Sequence, residues 1–249
     1  MCADWAWTPR RRRRSWVATC NGCCTSKPVP ATEAETETPA ARGGAGPSSR
    51  LFIAAVPPPA VRAALAATQE ALRAGLAGPG ADVRLRWVRP EAIHLTLRFL
   101  GETPDDRRPA IERALAATAA AGAPIDLRLG AVGTFGGRRP RVVWAGLEGD
   151  VSALADCAAA LNRALAAEGF PDEPRPLRPH LTLARVSGRP GRDAHARLLS
   201  LVAATPAPRS AAFPVDALEL IRSELRPDGP RYTTLARAPL PSPRGRGIA

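Results

Sequence analysis

The chain holds three histidines, and two of them open the same tetrapeptide, His94-Leu95-Thr96-Leu97 and His180-Leu181-Thr182-Leu183. At average residue frequencies such a repeat arises by chance about one time in a thousand. An imidazole gives or takes a proton near neutral pH, and a threonine hydroxyl can donate to an anionic oxygen. Two copies of H-x-T-x therefore supply an acid, a base and two donors, a set suited to reaction at a phosphate. A lone strand histidine is more often a structural group bonded to backbone, but the repetition favours function for this pair. The third, His195, lies in a helical segment with no threonine partner and reads as surface.

Few other chemistries fit. The two tetrapeptides offer no carboxylate or second histidine at metal-ligand spacing, so no metal and no other cofactor is expected. There is no G-x-S-x-G elbow, P-loop lysine motif or Rossmann glycine fingerprint, which removes the common hydrolase, NTPase and dehydrogenase readings. Cys2, Cys20, Cys23 and Cys24 crowd the first 24 residues. The single C-x-x-C among them lacks the second ligand pair of a closed zinc site. Cys157, in an Ala-rich helical pattern, reads as a small core residue.

Side chains alternate along a strand, so His94 and Thr96 would share one face, with Leu95 and Leu97 on the other, and likewise His180 and Thr182. Around them the sequence reads as alternating strands and helices. The first strand is Leu51 to Val56, ended by Pro57-Pro58-Pro59, and an amphipathic helix over Val61 to Leu76 follows, broken at Gly78-Pro79-Gly80. Strands over Val83 to Val88 and His94 to Leu100 lead into a helix from Pro104 to Ala121. Two more strands, Ile125 to Val132 and Arg141 to Leu147, precede a helix over Val151 to Glu168. A Pro-rich link then reaches the strand His180 to Val186. A helix at Arg192 to Ala203 and strands near Val215 to Ser223 and Tyr232 to Ala238 close the pattern. Tight links such as Gly133 to Pro140 suit antiparallel pairing. The expected fold is α+β and bilobal, with two pseudo-symmetric lobes of antiparallel sheet and helices around a central cleft.

Length, 249 residues with 45% hydrophobic, allows one sizeable catalytic domain. We place it at residues 50–240. Residues 1–49, with the arginine run Arg10 to Arg14 and a Thr/Glu/Ala/Pro stretch, have no apolar period and read as a disordered tail; residues 241–249 read as a flexible end. No stretch reaches the roughly 20 apolar residues of a membrane span, and the protein is expected to be a cytoplasmic monomer without a membrane partner. The formal net charge of +12 suits a polyanionic partner. However, Lys27 is the one lysine among the 35 basic residues, and the chain is rich in Ala, Gly and Pro, which equally suits GC-rich codon usage.

The residues resemble the 2H phosphoesterases, and within them the RNA 2′,3′-cyclic phosphodiesterases also called 2′-5′ RNA ligases. The likeness runs through Arg50 to Ala54, Trp87-Val88, His94 to Glu102 (HLTLRFLGE), Arg139 to Gly146, Arg178 to Val186 and Asp228 to Leu235. It implies a substrate of RNA or nucleotides ending in a 2′,3′-cyclic phosphate, opened to a 2′-phosphate. It implies His180 as base, His94 as acid, Thr96 and Thr182 on the phosphate, Phe99 stacked on a base and Arg185 holding phosphate. Strict alternation turns Phe99 and Arg185 away from their histidines, so they reach the cleft only where the strands twist or bulge. Reverse reaction to a 2′-5′ RNA bond, another cyclic phosphate, or RNA binding without catalysis are the alternative readings.

Overall fold

The computed structural model describes residues 46–77, 83–173, 175–226 and 229–241. The N-terminal cysteines, the arginine run, nearly all of the proposed disordered tail and residues 242–249 lie outside them.

Strands β1 (Ser48–Ala55), β2 (Arg84–Trp87), β3 (Leu95–Pro104), β4 (Ile125–Phe135), β5 (Val142–Gly149), β6 (His180–Ser187), β7 (Phe213–Val215), β8 (Ala217–Arg226) and β9 (Gly229–Pro239) alternate with helices α1 (Pro59–Leu76), α2 (Arg108–Ala120), α3 (Val151–Ala167) and α4 (Arg192–Ala204). All nine strands belong to one sheet, in the order β7-β4-β5-β6-β3-β1-β8-β9, with β2 pairing the outer part of β6. Every pairing is antiparallel. The order divides into two four-stranded halves, β6-β5-β4-β7 and β3-β1-β8-β9, which meet where Leu95 pairs with Leu181.

One face of this sheet carries the helices. Val61, Leu65 and Leu72 of α1, Ile111 and Leu115 of α2, Leu154, Leu161 and Leu165 of α3, and Leu198 of α4 recur at helical spacing. They share one core with Leu51, Ile53, Leu95, Leu181 and Leu220 of the strands. Burial of each such side chain contributes about 1.5–3 kcal/mol before chain entropy is set against it. Proline opens α1 and α2, where a missing N–H costs nothing. The opposite face is open. There Phe52, Ala54 and Ile221 form a separate small cluster against Tyr232.

Several boundaries differ from the sequence reading. The segment Pro104–Arg107 is not the start of α2: β3 runs on through Pro104, a 3-10 turn covers Asp105–Arg107, and α2 begins at Arg108. The strand is held there by β1, whose Ser48 and Ser49 pair with Pro104 and Thr103, while Asp105 N–H donates to the Pro47 carbonyl (2.9 Å). The folded domain thus starts a few residues before Arg50. The strand anticipated over Val215 to Ser223 is broken at Asp216 into β7, at one edge of the sheet order, and β8, next to the strand at the other edge. Cys157 is half-buried at the margin of the core, not within it, and burial pushes its thiol pKa up.

Candidate active site

Both histidines stand at the beginning of their strands, on the open face, and each is half-buried. Their settings match. His94 Nδ1 lies 2.8 Å from the Ala92 carbonyl, and His180 Nδ1 lies 2.7 Å from the Arg178 carbonyl, two residues back in each case. A carbonyl only accepts, so each Nδ1 carries the proton, and each neutral ring keeps its lone pair on Nε2. The backbone bond typical of a structural histidine is present, and here it leaves the second nitrogen of each ring for chemistry.

The antiparallel register through Leu95 and Leu181 sets His94 across from Thr182 and His180 across from Thr96. Directly opposed side chains share a face, so each threonine stands beside the other motif's histidine. The two imidazoles are close enough that the charge of His180 lowers the pKa of His94. The polar groups of both tetrapeptides therefore meet at one place on the open face.

Phe99 and Arg185 reach that face through a shared irregularity. In the β1–β3 pairing Ala54 matches Thr96 but Ile53 matches Arg98, so Leu97 has no opposite number. In the β5–β6 pairing Trp144 matches Thr182 but Val143 matches Ala184, and Leu183 is passed over. One extra residue at the same position of both motifs reverses the alternation beyond it. Leu97 and Arg98 are both buried, as are Leu183 and Ala184, and the next residues, Phe99 and Arg185, emerge. Phe99 is 59% exposed, so it is not a core residue. In the second motif the carbonyl of the passed-over residue is bonded twice: Leu183 accepts from Val88 N–H (2.9 Å) and from the buried Gln69 side-chain amide (2.8 Å). Gln69 also donates to the Val88 carbonyl at 2.8 Å, tying α1 to β2 and β6.

Burial lowers the pKa of His94 and His180, their backbone hydrogen bonds oppose that shift, and the positive charge of Arg185 lowers both further. Arg185 thus lies near enough for its charge to act on both rings. It also lowers the pKa of Tyr232, together with Arg50, against a larger upward push from burial.

Several neighbours of the site were not anticipated from sequence. The His94 ring lies 4.6 Å from Phe52 and 5.1 Å, edge-on, from Tyr232; the His180 ring lies 4.9 Å, edge-on, from Phe135, which in turn contacts Trp144. These aromatic rings flank the two imidazoles. A composition signal was available: in a chain with one tyrosine and five phenylalanines, Tyr232, Phe52, Phe99 and Phe135 all come to this face. His195 is half-buried on α4 and belongs to neither tetrapeptide. Among the described residues no three His, Cys, Asp or Glu side chains gather as a metal site, and no helix is long and apolar enough to cross a membrane.

The profile of the 2′-5′ RNA ligase superfamily matches residues 57–227. An RNA 2′,3′-cyclic phosphodiesterase of Geobacillus stearothermophilus is 36% identical over 155 residues, 62% of this chain and 47% of that protein, so the match spans about half of that relative's length. The RNA 2′,3′-cyclic phosphodiesterase of Thermus thermophilus is 32% identical over 210 residues, 79% of this chain and 93% of that one. The crystal structure of Escherichia coli LigT complexed with 3′-AMP superposes with a TM-score of 0.59 at 28% identity, covering 78% of this chain and 99% of that one. With the repeated tetrapeptide, the mixed fold and these matches in agreement, the chain belongs to the 2′-5′ RNA ligase superfamily of 2H phosphoesterases.

Proposed function

We propose that the protein hydrolyses 2′,3′-cyclic phosphate ends of RNA to 2′-phosphate ends, using His94 and His180 as paired acid and base. The observation that carries this reading is the matched pair of imidazoles, each with Nδ1 bonded to backbone, meeting beside Arg185. The names of the relatives point the same way.

In the proposed step a water oxygen bonds to phosphorus and the P–O3′ bond breaks in line with it. Nε2 of His180 takes the water proton, and Nε2–H of His94 delivers a proton to the departing ribose O3′. Thr96, Thr182 and Arg185 face the charge that develops on the non-bridging oxygens. The assignment of base and acid follows the family resemblance. The acid must arrive protonated, although both rings are held below the ordinary histidine pKa in the free site. The substrate anion remedies this: its charge offsets Arg185 and favours protonation of an imidazole beside it. Phe99, half of whose surface is free, offers a platform for the terminal base. All chemistry is assigned to side chains, with no metal, and the working compartment is taken as the cytoplasm.

The test is incubation of purified protein with an oligoribonucleotide ending in a 2′,3′-cyclic phosphate and identification of the product end. A 2′-phosphate is the expected product. A 3′-phosphate would reverse the assignment of the leaving oxygen; a 2′-5′ joined product would favour end-joining; binding without turnover would leave an RNA-binding protein.

A further inference from the structure

We infer that arginines without acidic partners on β2, β6 and the β4–β5 hairpin form a track for the phosphodiester backbone of single-stranded RNA leading away from His180. This rests on the RNA substrate proposed above and extends it from the terminal phosphate to the strand behind it.

The arginines of the described structure sort into two groups. On β8 and β9 three arginines are neutralised: Arg222 and Arg226 lie 3.1 and 3.0 Å from Glu224 carboxylate oxygens, and Arg237 lies 3.2 Å from Asp216 and 3.7 Å from Glu219. On the other side of the cleft Arg84, Arg86, Arg138, Arg139, Arg141 and Arg185 are all exposed. Among the described residues none of these six has an ion pair or a side-chain hydrogen bond. For the hairpin and β6 arginines the sequence leaves no partner nearby, since no Asp or Glu occurs between Asp126 and Glu148 or between Glu173 and Asp193. Arg50, Arg62, Arg163 and Arg231 also lack an ion pair and lie elsewhere on the described structure, but these six follow one another along β2, β6 and the β4–β5 hairpin.

Their placement is continuous. Arg86 stands directly opposite Arg185 across the β2–β6 pairing, with Arg84 two residues further along the same face. Like charges directly opposed in a sheet are destabilising, and a second phosphate beside Arg86, next to the one that Arg185 holds, offsets that repulsion. Arg84 and Arg86 are about 7 Å apart by strand geometry, the order of the separation of successive phosphates on an extended strand. On the far side of β6, the hairpin begins beside the histidine: Phe135, which packs edge-on to His180, is followed by Gly136 and Gly137, both with positive φ, and by the arginines. The turn is ordered by Arg139 N–H donating to the Gly136 carbonyl (3.1 Å) and Arg141 N–H to the Phe135 carbonyl (2.7 Å). The cyclic phosphate occupies the histidine pair, so this second set of charges is free to take phosphates on its 5′ side.

The experiment compares kcat/KM for cytidine 2′,3′-cyclic phosphate and for a hexaribonucleotide with the same end, in wild type, R84S/R86S and R138S/R139S, across a salt series. The wild type should favour the hexamer. Each double variant should lose about tenfold on the hexamer and flatten its log–log salt slope by about one, while the mononucleotide changes less than about twofold. Equal loss on both substrates, or an unchanged hexamer preference and slope, overturns the track. Failure of the wild type to turn over either substrate overturns the hydrolytic reading instead. The track is then read from fluorescence anisotropy with a hexamer ending in a 2′-phosphate, where unchanged affinity in both variants rejects it and weakened affinity upholds it. Thermal melting is the control for folding, and R84S/R86S should melt no lower than wild type.

Discussion

Leu95 and Leu181 pair across the junction of β3 and β6, and each is the residue that follows a cleft histidine. Both leucines are buried in the common core. The alternation of the strands then turns the flanking polar residues, His94 and Thr96 on one strand and His180 and Thr182 on the other, to the open face. A single apolar contact therefore fixes the spacing of the acid, the base and the two hydroxyls.

If each imidazole transfers a proton, His94→Ala and His180→Ala should each lower turnover about a hundredfold or more. Acting in one transition state, they should not be additive: the double variant should be far less impaired than the product of the single effects. His195→Ala is the internal control and should retain wild-type rates. Steady-state kinetics on a cyclic-phosphate oligonucleotide reads all four proteins, and near-normal rates in either cleft variant would reject the pair.

The histidine pKa values fall below the ordinary value of about 6.5 in the folded protein. The base of the free enzyme must be neutral, so the acidic limb of kcat/KM should have its midpoint below 6.5. For stability the unfolded chain binds more protons than the native one in the window between the folded values and 6.5. The contribution is thus complete above 6.5 and is lost as pH falls through the folded values. Arg185 lowers both rings, so Arg185→Gln should raise both pKa values; titration of the His Cε1 proton signals by NMR checks this, and unchanged values would mean Arg185 does not face the rings.

Because the proposed donors and acceptors are side chains, turnover should survive exhaustive treatment with EDTA. Activity lost on chelation and restored by zinc or manganese would require a different mechanism.

Phe99 protrudes from the sheet, 59% exposed, so Phe99→Ala should leave the melting temperature nearly unchanged. Loss of a stacked base should lower kcat/KM about tenfold. A large fall in stability with unaltered kinetics would return Phe99 to a packing role.

Gln69 is 1% exposed and bonds the carbonyls of Val88 and Leu183. Gln69→Leu should cost about 1–3 kcal/mol by removing the amide that donates to these carbonyls. It should also lower kcat through the loosened strand that carries Arg185. Chemical denaturation measures the first effect; wild-type stability in this variant would show that the bulge holds itself.

The elements around the site were legible because the chain keeps its periods: α1, α3 and α4 carry apolar residues three and four apart, and both tetrapeptides alternate cleanly. The break in alternation after Leu97 and Leu183 was not. In the second motif Leu183-Ala184 is a doubled apolar pair that could have signalled it, but in the first the inner position is held by Arg98. That arginine is buried because its guanidinium donates to the Pro171 carbonyl and lies 3.7 Å from Glu173, partners more than seventy residues away that no local pattern reveals. Phe52, Phe135 and Tyr232 escaped notice for the same reason, since each meets its histidine only through long-range strand pairing.

The half β6-β5-β4-β7 comes from one continuous stretch of chain, but the half β3-β1-β8-β9 does not. The half that holds β3 and β1 is completed by β8 and β9, which come after β7 in the chain, and β2 crosses over to extend β6. A chain emerging from the ribosome therefore exposes His94 and His180 long before Tyr232, the edge-on neighbour of His94 on β9. The aromatic neighbours of His94 are complete only once β9 has been made, so a product terminated between β6 and β9 would carry both histidines and still lack a finished site.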